Sequence, residues 1–225
     1  MKRNTTAIIL AAGSGLRMGL EENKVYLKLS GKNIVSFSID AFANHPQIKD
    51  IILVTRADEA EKGAALLSHT KIPSRVVIGG ASRQKSVYNA LVGLDSKYVL
   101  VHDGARPLVQ AEDITNCIKA LKHYDGAVLA YPLTQQIYTW KQGKIAHPLT
   151  ETLWAAQTPQ GFHTKVLQAC HQKHKNTAIA TDDSSLLELE NYLVTVVKGN
   201  PSHCKVTLPM DLQAVQKQLE NAVTL

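Results

Sequence analysis

Aromatic residues are scarce, at 5% of 225, and no run of four or more Lys or Arg occurs, so neither a stacking platform for single-stranded nucleic acid nor a basic nucleic-acid arm is expected. No apolar run approaches the roughly eighteen residues of a membrane span. Met1-Lys-Arg-Asn-Thr-Thr6 has the charge of a signal sequence, but the apolar stretch Ala7–Ala12 is too short for its core. The cysteines are only Cys117, Cys170 and Cys204, an odd number without metal-ligand spacing, which points to reduced thiols in a soluble cytoplasmic protein. There is enough apolar sequence, 44%, for a packed core, and no linker-like stretch divides residues 1–225, so one domain is expected. A net charge of +6 without basic runs suits small anionic ligands better than nucleic acid or membrane.

What is present is organised around Ala7-Ile-Ile-Leu-Ala-Ala-Gly-Ser-Gly-Leu-Arg-Met-Gly19. A short apolar strand of the kind buried on both faces runs into Gly13, Gly15 and Gly19, which let the backbone turn and approach a ligand closely. Amide N–H groups in such a loop cradle anions, Arg17 offers a planar fork of donors for phosphate oxygens, and Lys24 a mobile point charge. The loop lacks the closing Gly-Lys-Ser/Thr of a P-loop, and its spacing is not the dinucleotide fingerprint.

Further along, short β-branched runs alternate with helical periodicity. Strands are expected at 51–55, 75–78, 98–102, 126–131 and 193–198, and an extended piece at 25–29. Helices are expected from near Asn33 and over 57–67, 83–94, 114–121, 164–174, 183–189 and 210–222. This alternation predicts an α/β fold with a doubly wound, mostly parallel sheet. His102, Asp103 and Arg106 then fall at the C-terminal end of a strand, where open α/β sheets bind ligands. Ile137–Trp140 and Ile145–His147 flank Lys141-Gln-Gly-Lys144 and read as a hairpin arm, about 134–150, projecting from the sheet. A lone ribbon is marginal in water, so a second copy of the chain is expected to cover it in a homodimer. Asp182, Asp183 and Ser184 read as a helix cap.

The stretch Ala11–Gly19 with Lys24 resembles the signature loop of sugar-phosphate nucleotidyltransferases, and most of all that of the 2-C-methyl-D-erythritol 4-phosphate cytidylyltransferase family. The similarity continues in order through Gly79-Gly80 with Ser86-Val87, His102-Asp-Gly-Ala-Arg-Pro107, Trp154 with Thr158-Pro-Gln160, Thr181-Asp182, and Lys205-Val-Thr207 with Asp211-Leu212. The resemblance implies transfer of CMP from CTP to a polyol phosphate, with magnesium as the divalent cation. Arg17, Lys24 and Lys205 are its catalytic cations, converging on the triphosphate. Ala11, Ala12, Gly13, Gly15, Gly80, Ser86 and Asp103 are the implied nucleotide-binding group, with Asp103 placed on the ribose or the metal. The attacking phosphate is already anionic, so no general base is needed and none of the nine histidines is assigned chemistry.

The acceptor half departs from the family pattern. An Asp-Thr pair and an Arg are expected to hold the acceptor phosphate with Arg106, but here those positions are Gln135-Gln136 and Thr150. Ala81 also stands where some members carry Asp. Lys141, Lys144 or His147 remain candidates for the missing charge. The alternatives left open are ribitol 5-phosphate as acceptor, a nucleotide-binding protein with little turnover, and, as a different class, a dinucleotide oxidoreductase.

Overall fold

A computed structural model describes residues 3–13, 22–148, 152–177 and 180–223. In chain order the strands are β1 (Thr5–Leu10), β2 (Lys28–Leu29), β3 (Lys32–Asn33), β4 (Ile48–Thr55), β5 (Ser74–Ile78), β6 (Tyr98–Asp103), β7 (Gly126–Pro132), β8 (Tyr138–Lys141), β9 (Lys144–Pro148), β10 (Trp154–His163) and β11 (Val194–Lys198). The α-helices are α1 (Ile34–Ala43), α2 (Ala60–Leu67), α3 (Arg83–Leu91), α4 (Ala111–Ala120), α5 (Thr164–Lys173), α6 (Asp183–Leu189) and α7 (Pro209–Val223). Among the described residues none is long and apolar enough to cross a membrane.

Seven strands form the main sheet in the order β11-β7-β10-β6-β1-β4-β5, with β10 antiparallel to both of its neighbours and every other pairing parallel. Successive side chains of β1 point to opposite faces. Ala7 and Ile9 join Val35, Ile39 and Phe42 of α1 and Ile114, Cys117 and Ile118 of α4 on one side. Ile8 joins Val87 and Leu91 of α3, Leu167 of α5, and Leu186 and Leu187 of α6 on the other. Both faces are thus covered, which is why β1, β4 and β6 read as nearly continuous apolar runs. From β1 the chain winds outward to β4 and β5 and then crosses back to β6 on the other side of β1. This switch of direction opens a crevice at the carboxyl ends of β1 and β6, where Leu10 pairs with Asp103.

The expected elements recur with boundary shifts, and two differ in kind. The extended piece at 25–29 begins as a 3-10 turn, Lys24–Tyr26, because the Asn23 side chain accepts from the Val25 N–H and curls the chain. Strand β10 was not expected from the apolar pattern, since Gln157, Thr158, Pro159, Gln160 and Gly161 lie in its middle. A register shift against β7 between Ala156 and Gln160 accommodates the proline inside the sheet. The hairpin forms as expected: Gln142 and Gly143, with φ of 51° and 77°, make the two-residue turn between β8 and β9. Tyr138, Trp140 and Ile145 are exposed on it.

Candidate active site

Above the carboxyl ends of β1 and β6 lies a cleft of about 540 Å³. Its walls come from the loop after β1 (Ala12, Gly13), the turn carrying Lys24, the loop into α3 (Gly80, Ala81, Ser82) with Arg83 and Ser86, and Asp103 facing Lys205. Residues distant in sequence therefore converge as expected: Ala12, Gly13, Lys24, Gly80, Ser86, Asp103 and Lys205 line one space. Ala11 is buried just behind it, its N–H donating to Val54 O at 2.7 Å. Arg17, Gly15 and Thr150 lie outside the described residues.

Lys24 is nine-tenths buried because its turn is fixed by Asn23. The Asn23 amide donates to Ala11 O at 2.7 Å and to Glu59 Oε2 at 3.0 Å, while its oxygen accepts from Val25 N at 3.3 Å. In the sequence Asn23 carries no local signal beyond preceding the lysine. The opposite wall depends on close backbone packing at Gly79. Its N–H donates to Thr55 O at 2.8 Å, and a Cβ there would stand 2.8 Å from that of Ala12. The Ser86 hydroxyl accepts from Gly80 N at 3.0 Å and donates to Ser82 O at 2.9 Å, so it shapes the loop and keeps one lone pair for a ligand donor.

Asp103 is the negative centre of a positive site. Its Oδ2 accepts from Lys205 Nζ at 2.9 Å and Arg106 Nε at 3.4 Å, and its Oδ1 is 3.8 Å from Arg83 Nε. Burial pushes its pKa up, but Lys205, Arg83 and Arg106 more than offset this and hold it well below the usual carboxylate range. Asp103 already serves three cations, and among the described residues no cluster of His, Cys, Asp or Glu suits a metal ion. The site does not fit a protein-held magnesium.

From the sequence alone Arg83 reads only as a helix residue. Its Nη1 donates to Asp183 Oδ2 at 2.6 Å, and Asp183, fully buried, also lies 2.9 Å from His171 Nε2 through Oδ1. Asp182 caps α6 as expected, accepting from Ser185 N at 3.0 Å. Its neighbour Asp183 does something else, orienting an arginine at the cleft. Arg106 lies off the cleft lining and braces it: beyond Asp103, its Nη1 donates to His203 O at 3.3 Å and its Nη2 to Ala156 O at 3.5 Å. Gln136 is exposed at the base of the arm, outside the cleft lining.

His102 supports the strand end that carries Asp103. Its Nε2 is 3.1 Å from Arg106 O, which can only accept, so that nitrogen carries the proton. Nδ1 then accepts from Thr158 Oγ1 at 3.0 Å, and Thr158 accepts from Asp103 N at 3.0 Å. Complete burial lowers the His102 pKa to about 4 from its ordinary value of 6.5, despite the pull of Asp103. A folded pKa below the unfolded one means that the unfolded chain protonates first. The contribution is complete above pH 6.5 and is lost as pH falls toward 4. Between pH 7 and 5, wild type should lose about 2 kcal/mol more stability than His102→Gln, as measured by urea unfolding. Equal losses in the two proteins would remove His102 from that account.

These features have counterparts in known proteins. A profile of the 2-C-methyl-D-erythritol 4-phosphate cytidylyltransferase family matches residues 5–221. The chain is 38% identical over 227 residues to the protein of that name from Haemophilus ducreyi, covering 99% of each. It is 38% identical over 225 residues to the one from Desulforamulus reducens, covering 96% of each. In structure it matches the 4-diphosphocytidyl-2C-methyl-D-erythritol synthase of Anaerococcus prevotii with a TM-score of 0.86 at 28% identity, over 97% of this chain and 99% of that one. The Francisella tularensis 2-C-methyl-D-erythritol 4-phosphate cytidylyltransferase gives 0.81 at 28% identity, over 96% and 99%. With the profile spanning nearly the whole sequence and Lys24 and Lys205 of the signature motifs lining one cleft, the chain belongs to the 2-C-methyl-D-erythritol 4-phosphate cytidylyltransferase family.

Proposed function

We propose that the protein is a one-domain cytidylyltransferase that transfers CMP from CTP to 2-C-methyl-D-erythritol 4-phosphate. The observation that carries this, beside family membership, is Lys24 and Lys205 converging with the glycine walls on a cleft at the switch point of the sheet. An acceptor phosphate oxygen forms a bond to the α-phosphorus, and the bond to the bridging oxygen breaks, pyrophosphate leaving with that electron pair. The obstacle is negative charge meeting negative charge, and preorganised cations lower it. No proton need be removed, in keeping with His102 being neutral and spent on Arg106 and Thr158. Gly13, Gly80 and Ser86 are assigned to the nucleotide, and magnesium enters as the counterion of CTP, held by phosphate oxygens. The exposed Tyr138, Trp140 and Ile145 support a homodimer through the arm, and the three free thiols support a cytoplasmic location.

The second reading, ribitol 5-phosphate as acceptor, is favoured by Gln136 and Thr150 standing where the family pattern has Thr and Arg. The test incubates the protein with CTP, magnesium and each polyol phosphate, follows pyrophosphate, and records the mass in solution. Methylerythritol 4-phosphate should be turned over as a dimer, and Thr150→Arg should raise its kcat/KM about tenfold or more by restoring a charged phosphate contact. Preference for ribitol 5-phosphate moves the assignment to the second reading. CTP binding without pyrophosphate release overturns both, and full turnover by a strict monomer overturns the dimer.

A further inference from the structure

We propose that Gln157 is a positioning residue for Lys205, holding the lysine-bearing turn in place from inside the sheet. The inference rests on the assignment of Lys205 to the reaction. Lys205 follows an irregular stretch, 199–204, and its ammonium is at the cleft only if that stretch is fixed. On its far side the anchor is plain: Val206 is fully buried and its N–H donates to Ala105 O at 2.8 Å. On the near side Gly199 N–H donates to Ala130 O at 2.7 Å, and beyond it the turn's own backbone bonds are short-range, with His203 N donating to Asn200 O at 3.0 Å and Cys204 N to Ser202 O at 2.8 Å.

Gln157, only 2% exposed, ties the middle of this turn to the body of the fold, beside Arg106 on the His203 carbonyl and the His203 ring, whose Nδ1 lies 3.0 Å from Asp113 Oδ2. The Nε2 of Gln157 donates to Asn200 O at 2.8 Å and to His203 O at 3.1 Å. Two carbonyl acceptors fix the amide's orientation, since the flipped form would oppose oxygen to oxygen. Gly199 closes over the amide, and a Cβ there would collide with Oε1. Gln157 is able to reach out because it sits in the interrupted register of β10 against β7, between Ala156 and Gln160. Bulges beside active sites characteristically re-aim a side chain in this way. Arg106 shares the His203 carbonyl at 3.3 Å and reaches Asp103, which receives Lys205 at 2.9 Å. Gln157 therefore acts on the reaction through the placement of Lys205, without touching substrate.

The test uses Gln157→Met, which keeps the volume and removes both donated bonds. Amide exchange at His203 and Cys204 should quicken while that of β1 and β6 stays protected. The kcat should fall about tenfold with KM for CTP close to wild type, as expected for a misplaced group acting in the transition state. In a Lys205→Ala background the same change should cost no further activity, because the group it positions is gone. Unchanged exchange, a wild-type kcat, or a full additional loss in the Lys205→Ala background would each overturn the proposal. If wild type releases no pyrophosphate from CTP with any acceptor, the assigned reaction fails, and amide exchange alone decides whether Gln157 holds the turn.

Discussion

Lys24→Ala should lower kcat by about a hundred- to a thousandfold, or roughly 3–4 kcal/mol, the scale seen when a preorganised electrostatic contact to a transition state is deleted. A solvated surface lysine would cost under about 1 kcal/mol. The difference follows from where the ammonium is kept. Lys24 is 8% exposed on a turn whose preceding residue spends its whole side-chain amide on Ala11, Glu59 and Val25. A charge fixed there in advance needs little reorganisation as negative charge gathers on the departing pyrophosphate. Single-turnover measurements with saturating CTP separate this loss from weaker binding. Turnover within a few-fold of wild type would return Lys24 to the class of incidental charges.

The parts of the fold legible in the sequence are those where local pattern and tertiary environment agree. β1 and β6 sit in the middle of a sheet covered on both faces, so they had to be apolar runs, and the glycines after β1 had to mark a loop. Gln142-Gly143 between alternating residues specified a hairpin turn by the conformations that it permits. β10 was illegible for the opposite reason. Its polar middle bonds to partners far away: the Gln157 amide N–H to Asn200 and His203, Thr158 to His102 and Asp103, the Gln160 amide N–H to Asp182. No window of local sequence carries that information.

The site divides in the same way. Lys24 and the glycine loop announced themselves through the company they keep in sequence, whereas Lys205 meets Asp103 across 102 positions, and only motif resemblance linked them. Asn23, Arg83 and Asp183 had no such signal. Arg83 and Asp183 are 100 positions apart, and each looks locally like an ordinary residue at the start of a helix. The resemblance places Arg106 on the acceptor, and nothing local announces the bonds its guanidinium makes to Asp103, His203 and Ala156.

Asp103→Asn should destabilise the ligand-free protein by about 2–3 kcal/mol, toward the low end for breaking a buried ion pair because Lys205 is 35% exposed. The carboxylate is shared by Lys205, Arg106 and Arg83, so neutralising it removes the negative charge between three cations, two lining the cleft and Arg106 bracing it. Its pKa is lowered in the fold, so its contribution is present above the unfolded value of 3.8 and is lost as pH falls through the lower folded one. At neutral pH the full loss should therefore be seen, lowering Tm by about 5–10 °C. The two proteins should also differ in their response to CTP. In wild type the triphosphate enters a site whose positive charge Asp103 already partly balances, whereas in Asp103→Asn it supplies the missing negative charge. Saturating CTP should thus raise Tm more in the variant than in wild type, through binding to the folded state alone. A variant as stable as wild type, with the same response to CTP, would mean that the three cations do not depend on Asp103 for their balance.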